Sequence, residues 1–135
     1  MVRSKTIYQG DKHCDLTHEP SGAHISTDAP KDNHGKGEAF SPTDLLGAAL
    51  ASCVLTTMAI QTEPEGFNIK GAYATTEKHM TPPPRRVASL NMEVYLPQNL
   101  TAEQRTRLEE IANNCPVYRS LHPDVKMPMQ FHYVV

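Results

Sequence analysis

Ser41-Pro42-Thr43-Asp44-Leu45-Leu46-Gly47-Ala48-Ala49-Leu50-Ala51-Ser52-Cys53-Val54-Leu55-Thr56-Thr57-Met58 is the stretch from which the fold of this chain can be read. Its first residues signal a helix N-terminus. Ser41 is a good N-cap, Pro42 suits the first helical position, and Asp44 places an acid at the positive end of the helix dipole. From Leu45 to Ile60 there is no Lys, Arg, Asp, Glu, Asn or Gln. Leu45, Ala49 and Cys53 fall on one stripe and Leu46, Leu50 and Val54 on another, so no face is polar. A helix apolar on every side is predicted to be buried on every side. The run is at the short limit of a membrane span, and Ser52, Thr56 and Thr57 favour a buried central helix over a span. Glu63-Pro64-Glu65-Gly66 ends it.

The 135 residues suit a single domain, residues 1–135, and show no internal repeat. Thirteen Lys and Arg against fifteen Asp and Glu leave a formal net charge of −2, which speaks against a nucleic-acid partner. No basic segment followed by an apolar run opens the chain, so a cytosolic protein without a membrane anchor is expected. Three cysteines, Cys14, Cys53 and Cys115, form no disulfide framework; in a reducing compartment they are structural, metal-binding or redox-active. A domain of this size has difficulty wrapping so apolar a helix alone. A homodimer with the helix near the interface is therefore expected.

Working outward, Val2–Tyr8, Cys14–His18 and Ala23–Thr27 read as three strands of an antiparallel meander, with turns at Gln9-Gly10-Asp11 and Pro20-Ser21-Gly22. Asp28–Ala39, rich in Gly, Pro, Asn and Lys, reads as a surface loop into the central helix. Phe67–His79 and Val87–Leu96 read as a long hairpin broken by Pro82-Pro83-Pro84. In the second strand Leu90, Met92, Val94 and Leu96 alternate with Ser89, Asn91 and Glu93. Thr101-Ala102-Glu103-Gln104 fits a capping box opening an amphipathic helix, with Leu108, Ile111 and Ala112 on its apolar side. A short helical piece after Cys115 runs to Leu121, and Met127–Val135 closes the chain as a strand. Three strands, helix, two strands, helix, strand is an α+β order with mostly antiparallel pairing.

For chemistry the thiols come first. Cys53 in an apolar helix is ordinarily a small buried hydrophobe, and burial without a positive neighbour leaves a thiol inert. Its mid-helix position denies it the helix N-terminus, so a reactive Cys53 calls for an Arg, Lys or charged His from elsewhere. Cys115, before a proline at a helix break, is a less comfortable place for a purely structural thiol.

The Ser41–Cys53 stretch, together with Asn114-Cys115-Pro116-Val117-Tyr118-Arg119-Ser120-Leu121, resembles the OsmC/Ohr family (osmotically inducible protein C, organic hydroperoxide resistance). Pro84-Arg85-Arg86 between two strands and the element order support the likeness, which covers nearly the whole chain. The resemblance implies an intertwined α+β homodimer with antiparallel sheets around two central helices. It also implies a thiol-dependent peroxidase in which Cys53 attacks the hydroperoxide and Cys115 resolves the sulfenic acid. No bound cofactor is implied, only an external dithiol reductant. Familiar members carry a Glu where this chain has Thr43, and an Arg in the loop corresponding to Gln9–His13, which here offers Lys12 and His13. Arg85 or Arg86 as the cation, and Glu38 or Asp44 as the acid, are the substitutes. The competing reading is a non-catalytic small-ligand binding or regulatory module on the same scaffold. A metal site drawn from His13, Cys14, His18, His24 and His34 is a minor alternative.

Overall fold

The helix capped by Ser41 runs from Pro42 to Thr62 (α1) in the computed structural model, which describes every residue from Met1 to Val135. Its entry is a reciprocal cap. Asp44 N–H donates to Ser41 Oγ at 3.0 Å, and Ser41 N–H donates to Asp44 Oδ2 at 2.9 Å. Side chains thus satisfy two amides that helix geometry leaves open at this end. The chain divides into two units, Met1–Leu46 and Gly47–Val135, the division falling in the second turn of α1.

The N-terminal unit is the expected meander: β1 (Ser4–Tyr8), β2 (His13–His18) and β3 (Ala23–Asp28), paired antiparallel in that order. The β1–β2 turn takes Gly10, Asp11 and Lys12 through positive φ. Asp28, read as loop, instead ends β3 and is buried. Its carboxylate bonds His13 Nδ1 at 2.6 Å and accepts the Glu38 N–H at 2.9 Å. The His13 bond holds this carboxyl below its ordinary value, against the opposing effect of burial. The 29–39 loop, which contains a 3-10 turn at Lys31–Asn33, is therefore fastened to the sheet.

In the C-terminal unit, β4 (Tyr73–Met80), β5 (Val87–Leu96) and β6 (Met129–Tyr133) form a sheet in that order. β4 and β5 are the predicted hairpin, but β4 starts at Tyr73 rather than Phe67. The chain before it turns, with Ala72 N–H donating to Ile69 O at 2.9 Å and Gly71 at φ +93°. β6 lies parallel to β5, the one parallel pairing between strands in sheets that are mostly antiparallel, as expected. A parallel neighbour needs a crossover. Here α2 (Ala102–Ala112) and α3 (Pro116–Ser120) supply it.

Leu90, Met92, Val94 and Leu96 of β5 are all buried, as their alternation predicts, and share the core with Leu50, Val54 and Met58 of α1 and Leu108 and Ile111 of α2. Thr101 and Gln104 form the predicted capping box. Tyr133 on β6 fastens α2, donating its hydroxyl to Glu109 Oε1 at 2.7 Å with Arg105 packed over its ring at 4.3 Å. Burial, reinforced by Glu109, pushes the Tyr133 hydroxyl far up, so it remains a donor. At Gly47 a Cβ would stand 3.1 Å from Thr76 Cγ2, so a larger residue there would press on the sheet.

Within one chain, α1 is covered on one side only. Its buried residues are Gly47, Leu50, Val54, Met58 and Thr62, a single stripe at helical spacing. Leu46 is 39% exposed and Ile60 66% exposed, and Ala49, Ser52 and Thr56 are exposed between them. A three-stranded sheet has one inner face, and one face covers one side of a helix.

Candidate functional site

Cys53 stands at the edge of the buried stripe. Ser52 before it is exposed, Val54 after it is fully buried, and Cys53 itself is partly exposed. One turn later on the same flank, Thr57 brings its hydroxyl to 3.7 Å from the Cys53 sulfur. The second thiol comes from the break between α2 and α3. Asn113 caps the end of α2 and the chain turns, leaving Cys115 extended at φ −68° and ψ 153°. Cys115 is the N-cap of α3, its sulfur accepting the Tyr118 N–H at 3.4 Å.

The proline after Cys115 now acquires a physical role. Pro116 at the first helical position has no N–H, so Val117 carries the first free amide of this turn. That amide is directed at the sulfurs, bonding to Cys53 and also favouring the charged form of Cys115. The neighbouring Cys115 thiol also favours the charged form of Cys53.

The two thiols are driven apart in acidity. Burial raises Cys53, but the Val117 amide, the Thr57 hydroxyl and the Cys115 thiol together outweigh it and bring Cys53 below the ordinary thiol range. Burial is also the largest influence on Cys115. The Tyr118 amide opposes it, the adjoining Cys53 adds to it, and the net direction is up. The first proton lost by the pair therefore leaves its charge on Cys53. The charged neighbour expected for a reactive Cys53 is replaced, within this chain, by neutral hydrogen-bond donors.

The other sequence candidates make contacts of their own. Arg85 and Arg86 are exposed beside the hairpin tip, where Thr81 N–H donates to Arg86 O at 2.8 Å. Arg86 lies 3.6 Å from Asp124. Asp44 belongs to the cap of α1, and Glu38 is an exposed residue of the N-terminal unit whose N–H is held by Asp28. Thr43 lies 3.2 Å from Ser41 Oγ through its hydroxyl. His13, His18 and His24 are engaged with Asp28, Ser21 and Thr17 respectively. Sequence reading missed Thr57 and Val117. Thr57 was findable, because a hydroxyl four residues after a cysteine shares its helix face. The Val117 amide was not, because a backbone donor carries no residue signature.

The lowered Cys53 thiol has a direct readout. Iodoacetamide alkylation of native Cys53 is expected to rise with pH below the ordinary thiol range, while Cys115 stays unlabelled until the protein unfolds. The sign follows from the depressed value: above it the folded protein carries a thiolate where the unfolded chain still carries a thiol. Thr57→Val removes one donor and should slow Cys53 labelling at neutral pH about fivefold, corresponding to ~1 kcal/mol for one hydrogen bond. A native Cys53 that labels no faster than an unfolded thiol would favour the non-catalytic module.

Residues 35–129 match the family described as OsmC-like protein. A solved protein from Psychrobacter arcticus 273-4, assigned to the osmotic-stress and detoxification response, is 42% identical. It superposes with a TM-score of 0.93 over 98% of this chain and 96% of that one. An OsmC-like protein from Mycoplasma pneumoniae shares the fold at 15% identity, TM-score 0.82, over 100% and 98% of the two chains. So does an organic hydroperoxide resistance protein from Legionella pneumophila, at 17% identity, TM-score 0.75, over 98% and 96%. No functionally curated protein is matched by sequence. The chain belongs to the OsmC-like family.

Proposed function

We propose that this protein is a cysteine-based peroxidase that reduces organic hydroperoxides in the cytosol. What carries the reading is the thiol pair: a partly exposed Cys53 whose acidity is raised by the hydrogen-bond donors around it, with a buried Cys115 beside it. The Cys53 thiolate attacks the outer oxygen of the hydroperoxide. The O–O bond breaks, an S–O bond forms, and the departing alkoxide takes a proton to become the alcohol. Cys53 is left as a sulfenic acid. Cys115 then attacks the Cys53 sulfur, forming the disulfide and releasing water. An external dithiol restores both thiols by exchange, and no bound cofactor is required.

The test is mass spectrometry after one equivalent of cumene hydroperoxide. An intramolecular Cys53–Cys115 link is the expected product. Accumulation of stable Cys53 sulfinic acid in the wild-type protein would overturn the cycle.

The working form is a homodimer. The uncovered side of α1 combines small residues, Ala49, Ser52 and Thr56, with exposed Leu46 and Ile60, a surface on which a second helix can approach closely. An open groove of about 440 Å³ on this unit is lined partly by Leu55, Thr56 and Ala59. Ile60→Glu would place a charge on that side while leaving the buried stripe intact. Light scattering is expected to show a dimer for the wild type and a shift toward monomer for the variant. A wild-type monomer at micromolar concentration would refute the dimer.

A further inference from the structure

The proposed cycle ends with a disulfide between two sulfurs in unequal surroundings. Cys115 is 0% exposed, enclosed where α2 passes into α3, whereas Cys53 is partly exposed on the flank of α1. Thiol–disulfide exchange requires the attacking sulfur to approach in line with the bond it breaks. Of the two residues, only Cys53 is reached from solvent. We propose that the reductant attacks the Cys53 sulfur, and that Cys115 is always the leaving thiol and never the point of attack. This rests on the two-cysteine reading above.

The step balances. A thiolate of the dithiol bonds to Cys53 Sγ as the Cys53–Cys115 bond breaks, and Cys115 leaves with the electron pair and takes up a proton. The second thiol of the reductant then attacks the reductant's own sulfur. Cys53 departs as a thiolate, and the reductant is released as its cyclic disulfide. Leaving-group acidity pulls the other way, because the more acidic thiol leaves faster and here that is Cys53. Leaving-group acidity only scales a rate, whereas complete enclosure removes the line of approach, so access decides.

The site of attack is tested in a Cys14→Ser background, which removes the third thiol. The internal disulfide is made chemically with diamide, without peroxide. It is then exposed briefly to cysteamine, quenched in acid and mapped after trypsin cleavage. Cysteamine on the peptide containing Cys53, at least about tenfold over that containing Cys115, is expected. Adduct mainly on Cys115, or shared evenly, overturns the assignment while leaving the two-cysteine cycle standing. A disulfide that forms with diamide but not with hydroperoxide overturns the peroxidase reading alone. Failure of diamide to join the two thiols overturns both.

Discussion

Cys53→Ser is expected to reduce turnover of cumene hydroperoxide by at least about a thousandfold, a loss of ~4 kcal/mol of transition-state stabilisation. The size of the effect follows from what the sulfur does. A serine hydroxyl at this position has the same donors around it, the Val117 amide and the Thr57 hydroxyl, yet these cannot ionise an alcohol at neutral pH. In the proposed cycle the O–O bond is broken by a polarizable anion, and serine supplies neither the charge nor the polarizability. The fold should survive, since Cys53 stands at the edge of the core rather than within it, and serine is smaller. An unchanged melting temperature with lost turnover is the expected combination. Full turnover by the variant would remove the mechanism.

Cys115→Ser separates the two halves of the cycle. The first hydroperoxide is still reduced, because Cys53 keeps the Val117 and Thr57 donors. Every later turnover with dithiothreitol slows, and excess peroxide carries Cys53 from sulfenic to sulfinic acid. Serine is a suitable replacement for a physical reason. Cys115 is the N-cap of α3, and serine is a better N-cap than cysteine, so the Tyr118 amide keeps an acceptor. The expected result is one alcohol per Cys53 in a single-turnover assay, followed by sulfinic acid in the Cys53 peptide. A variant that cycles at the wild-type rate without overoxidation would show that Cys115 is no resolving thiol. An alanine at 115 would confuse matters by leaving the Tyr118 amide unpaired.

Both predictions rest on a site of which half was legible in the chain. Cys53 was visible because a cysteine in so apolar a helix invites the question. Cys115 drew notice as a cysteine before a proline at a helix break, and its resolving role was implied by the family resemblance. The reason for acidity was not visible. A formal charge was sought at Arg85, Arg86, Glu38 and Asp44, since charges have residue names. The structure directs the Val117 amide, the Thr57 hydroxyl and the Cys115 thiol at Cys53 instead, two of which come from the α2–α3 break in the chain. Asp44 closes the cap of α1, at the helix end where its charge was read as complementing the dipole.

Local rules were read most securely. The cap at Ser41, the capping box at Thr101, the proline break at Pro82–Pro84 and the inward alternation of β5 depend on neighbours within a few residues, so the amino-acid order alone determined them. Three features depended on partners far along the chain and were decided only in three dimensions. β6 pairs parallel because α2 and α3 carry the chain back across the sheet, a matter of crossover path rather than strand composition. Within one chain α1 is buried on one stripe because a single sheet offers one inner surface, although its composition is apolar all round. Cys53 is acidic because folding lays the first free amide after Pro116 against a sulfur sixty-four positions earlier in the chain, and hydrogen bonding of that kind leaves no mark on sequence.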